Sequence, residues 1–81
     1  MFTVYVLRDS EGKLYKGVTN NLSRRLNEHK NGHTRSTRYM DDINVVYTEE
    51  YPDWEVARKR EVYFKSAAGR RFLKKVINLP M

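Results

Sequence analysis

A chain of 81 residues with 16 Lys and Arg against 10 Asp and Glu has room for one basic domain, and we expect a single domain over 1–81. It has no cysteine, which excludes disulfide staples, Cys-ligated zinc and a thiol nucleophile and fits a reducing, cytoplasmic setting. No apolar run approaches the ~20 residues that span a bilayer, and Met1 to Tyr5 lack the pattern of a secretory signal.

Phe2 to Arg8 is rich in β-branched and aromatic residues and predicts a strand. Asp9-Ser10-Glu11-Gly12 is a turn, with Gly12 suited to a left-handed, bulge-closing position. Lys13 to Thr19 then returns as the second strand. This turn pairs Asp9 with Lys13, Leu7 with Tyr15 and Tyr5 with Gly17. Partners across a hairpin share a face, so Tyr5, Leu7, Tyr15, Gly17 and Thr19 line one side. Phe2, Val4, Val6, Leu14 and Val18 line the more apolar other side. A one-residue slip would separate the two tyrosines.

Asn20 or Asn21 caps a helix from Leu22 to about Asn31, which Gly32 stops. A polar, basic loop follows to Asp42. Ile43 to Tyr51 predicts the third strand. Asp53 caps a second helix from Trp54 to about Ala67, and Gly69 interrupts. Arg70 to Asn78 predicts a short amphipathic helix with Phe72, Leu73, Val76 and Ile77 inward, and Pro80 forbids its continuation. The order strand-strand-helix-strand-helix-helix gives an α+β fold, a small, mainly antiparallel three-stranded sheet flanked by helices.

The net charge of +6 makes polyanions natural partners. The charge is sorted. Six acids and no base lie between Asp41 and Glu55, whereas Val62 to Met81 carries five bases and no acid. The Arg24 to Arg38 stretch is opposed only by Glu28. Such sorting suits an oriented polyanion surface.

Two helices carry polar groups on their apolar stripes. In the first, Leu22 and Leu26 mark the buried side, and Arg25 and His29 fall on it, with Arg24, Asn27 and Glu28 directed elsewhere. A buried guanidinium needs an anion, either a substrate or an internal acid. In the second, Trp54, Ala57, Phe64 and Ala68 form the stripe and Glu61 interrupts it, with Lys65 one turn on. Glu61 and Lys65 suit a plain i, i+4 pair or a carboxylate placed to bind a divalent cation.

These residues, taken in order, resemble the GIY-YIG nuclease superfamily, especially its small bacterial members and the N-terminal nuclease of the excision-repair UvrC proteins. Thr3-Val4-Tyr5 stands where that family has GIY, and Tyr15-Lys16-Gly17 where it has YIG. Tyr15, Gly17, Thr19, Leu22, Arg25, Leu26 and His29 follow its central signature in spacing. Ser36-Thr37-Arg38 is similar to its loop motif. Ala57, Glu61, Lys65 and the Gly69 to Lys75 run are similar to its C-terminal signature. The likeness spans essentially the whole chain.

The resemblance implies a metal-dependent DNA endonuclease. Tyr15 would be the general base or would orient the attacking water, with Tyr5 beside it. Arg25 would steady the pentacovalent phosphate, and His29 would assist proton transfer or hold a phosphate oxygen. Glu61 would bind one Mg²⁺ or Mn²⁺, and Lys65 would orient Glu61 or meet phosphate. Lys16, Arg24, Lys30, Arg35, Thr37, Arg38, Arg70, Arg71 and Lys74 are the expected DNA contacts. A free tyrosine, with a pKa of ~10, is a poor base at neutral pH, so nearby cations (Arg25, His29, Lys16 or the metal) would have to lower it.

Three departures stand out: no glycine in the first triplet, Lys16 in place of an apolar residue, and Asp41-Asp42 where a basic stretch is expected. The basic stretches and the acidic Asp41-Asp42 motivate the alternative of a non-catalytic nucleic-acid-binding module that keeps the fold. The substrate would be branched, single-stranded or of low sequence specificity. Greater specificity would need a homodimer or an accessory protein.

Overall fold

The structure is a computed structural model and describes residues 1–32, 34 and 37–77. Its elements are β1 (Phe2–Arg8), β2 (Leu14–Thr19), α1 (Leu22–Lys30), β3 (Asn44–Tyr51), α2 (Trp54–Lys65) and α3 (Ala67–Ile77). The three strands form one antiparallel sheet in the order β2-β1-β3. This is the α+β architecture the sequence predicts.

The hairpin has the expected register, with Tyr5 opposite Gly17 and Leu7 opposite Tyr15. Its turn holds because the Asp9 carboxylate accepts the backbone N–H groups of Glu11 (3.0 Å) and Lys13 (2.8 Å). Gly12 takes the left-handed conformation at φ 87°, which costs a glycine little.

Alternation then divides the core. Val4 and Val6 pack with Ala57, Phe64 and Leu73 on the face that carries α2 and α3. Tyr5 and Leu7 pack with Ile43, Leu22 and Leu26 on the face that carries α1. The β1–β3 ladder shifts register between Val6 and Leu7, pairing them with Tyr47 and Val45. The extra residue, Val46, bulges β3. Ile43 is buried although β3 begins one residue later than expected.

Glu49 ties β3 to α2. It lies opposite Val4, on the helix-bearing face. It accepts hydrogen bonds from Tyr47 Oη (2.6 Å), Tyr51 Oη (2.7 Å), and Arg60 Nε (2.8 Å) and Nη2 (3.1 Å). Burial tends to raise its pKa, but these donors outweigh burial and hold it below the usual value. The Arg60 guanidinium also lies 4.8–4.9 Å from the ring centroids of Tyr63, Phe64 and Phe72.

The helix boundaries near the C-terminus need correction. The break falls at Ser66, not at Gly69. Ser66 is extended (ψ 165°) and ends α2, and its Oγ accepts the Gly69 N–H at 3.1 Å, capping α3. Gly69 lies inside the first turn of α3. A Cβ there would sit 1.9 Å from the Tyr63 carbonyl oxygen, so α3 approaches α2 closely only because Gly69 has no side chain. α3 thus starts earlier than expected, at Ala67, so that Ala68 belongs to it and is exposed; Val76 is 41% exposed, and neither packs inward as expected. Trp54, expected on that stripe, is 46% exposed and meets Phe2 edge-on. Asn78, expected to end α3, lies outside the described residues.

Candidate active site

The hairpin register places two tyrosines on the α1 face, and α1 lays its polar stripe against them. Asn21 caps α1, its side chain accepting the Arg24 N–H at 3.1 Å. From that start, Arg25 and His29 face the sheet. The Tyr5 and Tyr15 ring centroids are 6.3 Å apart, and the His29 ring lies edge-on to both, at 5.8 and 4.9 Å.

Gly17 makes room for this arrangement. The Tyr5 ring lies across it, so near that a Cβ would be 2.5 Å from the hydroxyl oxygen. Tyr5 is 1% exposed and its hydroxyl is 2.9 Å from His29 Nε2. His29 Nδ1 is 2.6 Å from Thr37 Oγ1. Both ring nitrogens of His29 thus meet hydroxyls, each of which can donate or accept a proton.

Burial sets the titration of this group. It pushes His29 below its usual value, and the Arg25 charge pushes the same way against a smaller opposing pull from Glu28. The imidazole is therefore neutral near pH 7. Burial also raises Tyr5. The Arg25 hydrogen bond and charge oppose that rise, and Tyr15 and Glu61 add to it. For Tyr5, desolvation outweighs the Arg25 charge.

Two further expectations change. Glu28 does not point away from Arg25 but accepts from its Nη1 at 2.9 Å. This contact, with the Tyr5 hydrogen bond, raises the Arg25 pKa. The i, i+3 spacing of Arg25 and Glu28 was the signal for it. Thr37, expected as a DNA contact, is fully buried and holds His29, so it cannot reach a nucleic acid.

Glu61 and Lys65 stand together on α2. Glu61 is 7% exposed, between the turns that bury Ala57 and Phe64. Lys65 Nζ is 3.1 Å from Glu61 Oε2, and Arg58 Nη1 is 2.5 Å from Oε1. Arg58 escaped the sequence reading, although its i, i+3 spacing to Glu61 was visible. Among the described residues no hydrogen bond joins Glu61 to the tyrosines. The link is electrostatic, through the contribution of Glu61 to the Tyr5 pKa.

The donor set fits a particular kind of cation. Among the described residues no three His, Asp or Glu side chains cluster as a ready metal cage. A single recessed carboxylate suits Mg²⁺ or Mn²⁺ that keeps most of its water, and Glu61 would be its anchor.

Most of the other cations expected to meet DNA are exposed. Lys16 is half-buried on the α2 side of β2, where burial and then the charges of Arg70 and Lys65 lower its pKa. Arg24, Lys30, Arg70, Arg71 and Lys74 are exposed. Arg38 is exposed as well, and lies over the Tyr39 ring at 4.9 Å. Arg35 and Ser36 lie outside the described residues.

Known proteins share the sequence pattern and the fold of this chain. Residues 1–75 match the model of the GIY-YIG catalytic domain. A UPF0213 protein of Clostridium perfringens is 38% identical over 63 residues, covering 76% of this chain and 68% of that protein. A UPF0213 protein of Autographa californica nuclear polyhedrosis virus is 32% identical over 79 residues, covering 95% of this chain and 76% of the relative. The solution structure of a UPF0213 protein from Bacillus halodurans superposes with a TM-score of 0.58 at 29% identity, covering 94% of this chain and 85% of that one.

Proposed function

Because the chain belongs to the GIY-YIG catalytic domain family, a nuclease domain family, we propose that it is a metal-dependent endonuclease that hydrolyses DNA phosphodiester bonds. The observation that carries the reading is the joined set of Tyr5, Tyr15, Arg25 and His29, with the charge of a recessed carboxylate acting on Tyr5.

Each group has a task that its surroundings support. Tyr15, half-buried at the rim, orients the attacking water. The Tyr5 oxygen takes a proton from that water as its own proton passes to His29 Nε2, so no tyrosinate forms. With its own proton on Nδ1, donated to Thr37 Oγ1, the imidazole accepts at Nε2 in this scheme. Arg25 exchanges Glu28 for the scissile phosphate and holds charge that develops there. Mg²⁺ or Mn²⁺, when bound at Glu61, supplies further positive charge to that phosphate. Lys65 orients Glu61. Lys16, Arg24, Lys30, Arg38, Arg70, Arg71 and Lys74 contact flanking phosphates.

The test is cleavage of plasmid and branched DNA with Mg²⁺ or Mn²⁺. Glu61→Ala and Arg25→Ala should each slow cleavage by about 10²–10³-fold. Cleavage that persists in both variants would trace to a contaminant and refute the reading. The engagement of Arg25 by Glu28 favours a second reading, a binding module without catalysis. It predicts salt-sensitive DNA binding with no cleavage under any divalent cation.

A further inference from the structure

Glu61 is already occupied. Arg58 Nη1 sits on Oε1 and Lys65 Nζ on Oε2, so cations of the same helix take both oxygens of the recessed carboxylate. A carboxylate so withdrawn from water needs a counter-charge when no metal is bound. Helical spacing supplies it, since positions i−3 and i+4 both fall beside Glu61. The two partners differ in what else surrounds them. Lys65, like Arg70, acts electrostatically on Lys16 and so belongs to a local group of cations. Arg58 lies one turn nearer the start of α2, makes the shorter contact and has a side chain 51% exposed, so it can swing into solvent without burying anything.

A divalent cation and Arg58 cannot both hold Oε1. We propose that Arg58 is an internal competitor for the divalent cation. It neutralises Glu61 in the free protein and is drawn off by substrate phosphate, so that DNA binding and cation uptake favour each other. The proposal rests on Glu61 being the metal anchor. Such coupling is reciprocal, so the cation should tighten DNA binding by the same factor by which DNA tightens cation binding. The arrangement would keep the free enzyme largely without its cation and complete the site on the substrate.

Mn²⁺ titration of the intact protein, read by the electron paramagnetic resonance of free Mn²⁺, tests this without any cleavage assay. Without DNA, Arg58→Ala should bind Mn²⁺ about fivefold more tightly than wild type, the upper end for a partly exposed ion pair. Arg58→Lys should return the affinity toward wild type, because it restores the competing charge. Adding a branched DNA with phosphorothioate linkages should tighten Mn²⁺ binding to wild type more than to Arg58→Ala. Glu61→Gln should abolish the Mn²⁺ site in every background. If Arg58→Ala binds Mn²⁺ no better than wild type while Glu61→Gln removes binding, the competitor role fails and the nuclease reading stands. If no variant shows binding that depends on Glu61, both fall together. Circular dichroism checks that each variant is folded.

Discussion

Gly17→Ala would test the site and the fold at once. The added methyl would lie 2.5 Å from the Tyr5 hydroxyl oxygen, 2.6 Å from Cζ and 3.0 Å from Cε1. The ring cannot easily yield, because Tyr5 is 1% exposed and its hydroxyl is bonded to His29 at 2.9 Å. Forcing a methyl into a filled core costs about 1–3 kcal/mol, and losing the hydrogen bond costs about 0.5–1.5 kcal/mol. A total near 2–4 kcal/mol would lower the melting temperature of a domain this size by roughly 10–25 °C. Thermal unfolding followed by circular dichroism measures it. Tyr5→Phe removes the atom that clashes most, so the double variant should be less destabilised than the sum of the singles. The His29 ring resonances should shift in Gly17→Ala, because the Tyr5 hydroxyl bonded to Nε2 is displaced. A Gly17→Ala protein within about 0.5 kcal/mol of wild type, with unchanged His29 resonances, would refute the packing of Tyr5 over Gly17 and the relay built on it.

Gly69→Ala should be more damaging still, because the clash is with backbone: a Cβ would lie 1.9 Å from the Tyr63 carbonyl oxygen and 2.7 Å from Phe64 Cα. Moving α3 away would loosen Leu73 and Phe72 from the core, and we expect a loss above about 3 kcal/mol in urea unfolding; a near-neutral variant would mean that α3 does not cross α2 there. Stability should also fall as pH drops below about 6.5, the ordinary histidine value. The folded His29 pKa lies below that of the unfolded chain, so the unfolded state takes up a proton first, and the loss levels off once the folded imidazole protonates. His29→Gln should flatten that part of the curve, as measured by unfolding at a series of pH values. Glu49 acts in the more acid range: its stabilisation is complete above its usual value of 4.5 and is lost as pH falls through its lower folded value.

Local pattern determined more than the outline of this molecule. Alternation of side chains and the Asp9-to-Gly12 turn set the hairpin register, and with it the shared face of Tyr5 and Tyr15, because strand geometry leaves no other choice once the turn is fixed. Helical spacing placed Arg25 and His29 against that face, and left Glu61 recessed with Lys65 beside it. The tertiary structure decided what those groups do to one another. Desolvation depends on everything packed around a side chain, so the raised Tyr5 and lowered His29 pKa values could not be read along the chain. Thr37 is buried rather than presented to DNA because it meets His29 of α1, a contact with no local signature. Gly69 reads as a helix breaker from propensity alone, but it lies within a helix because α3 crosses α2 too closely for any Cβ. A glycine in sequence marks only a permission. Which neighbour uses it is set by packing between separate elements.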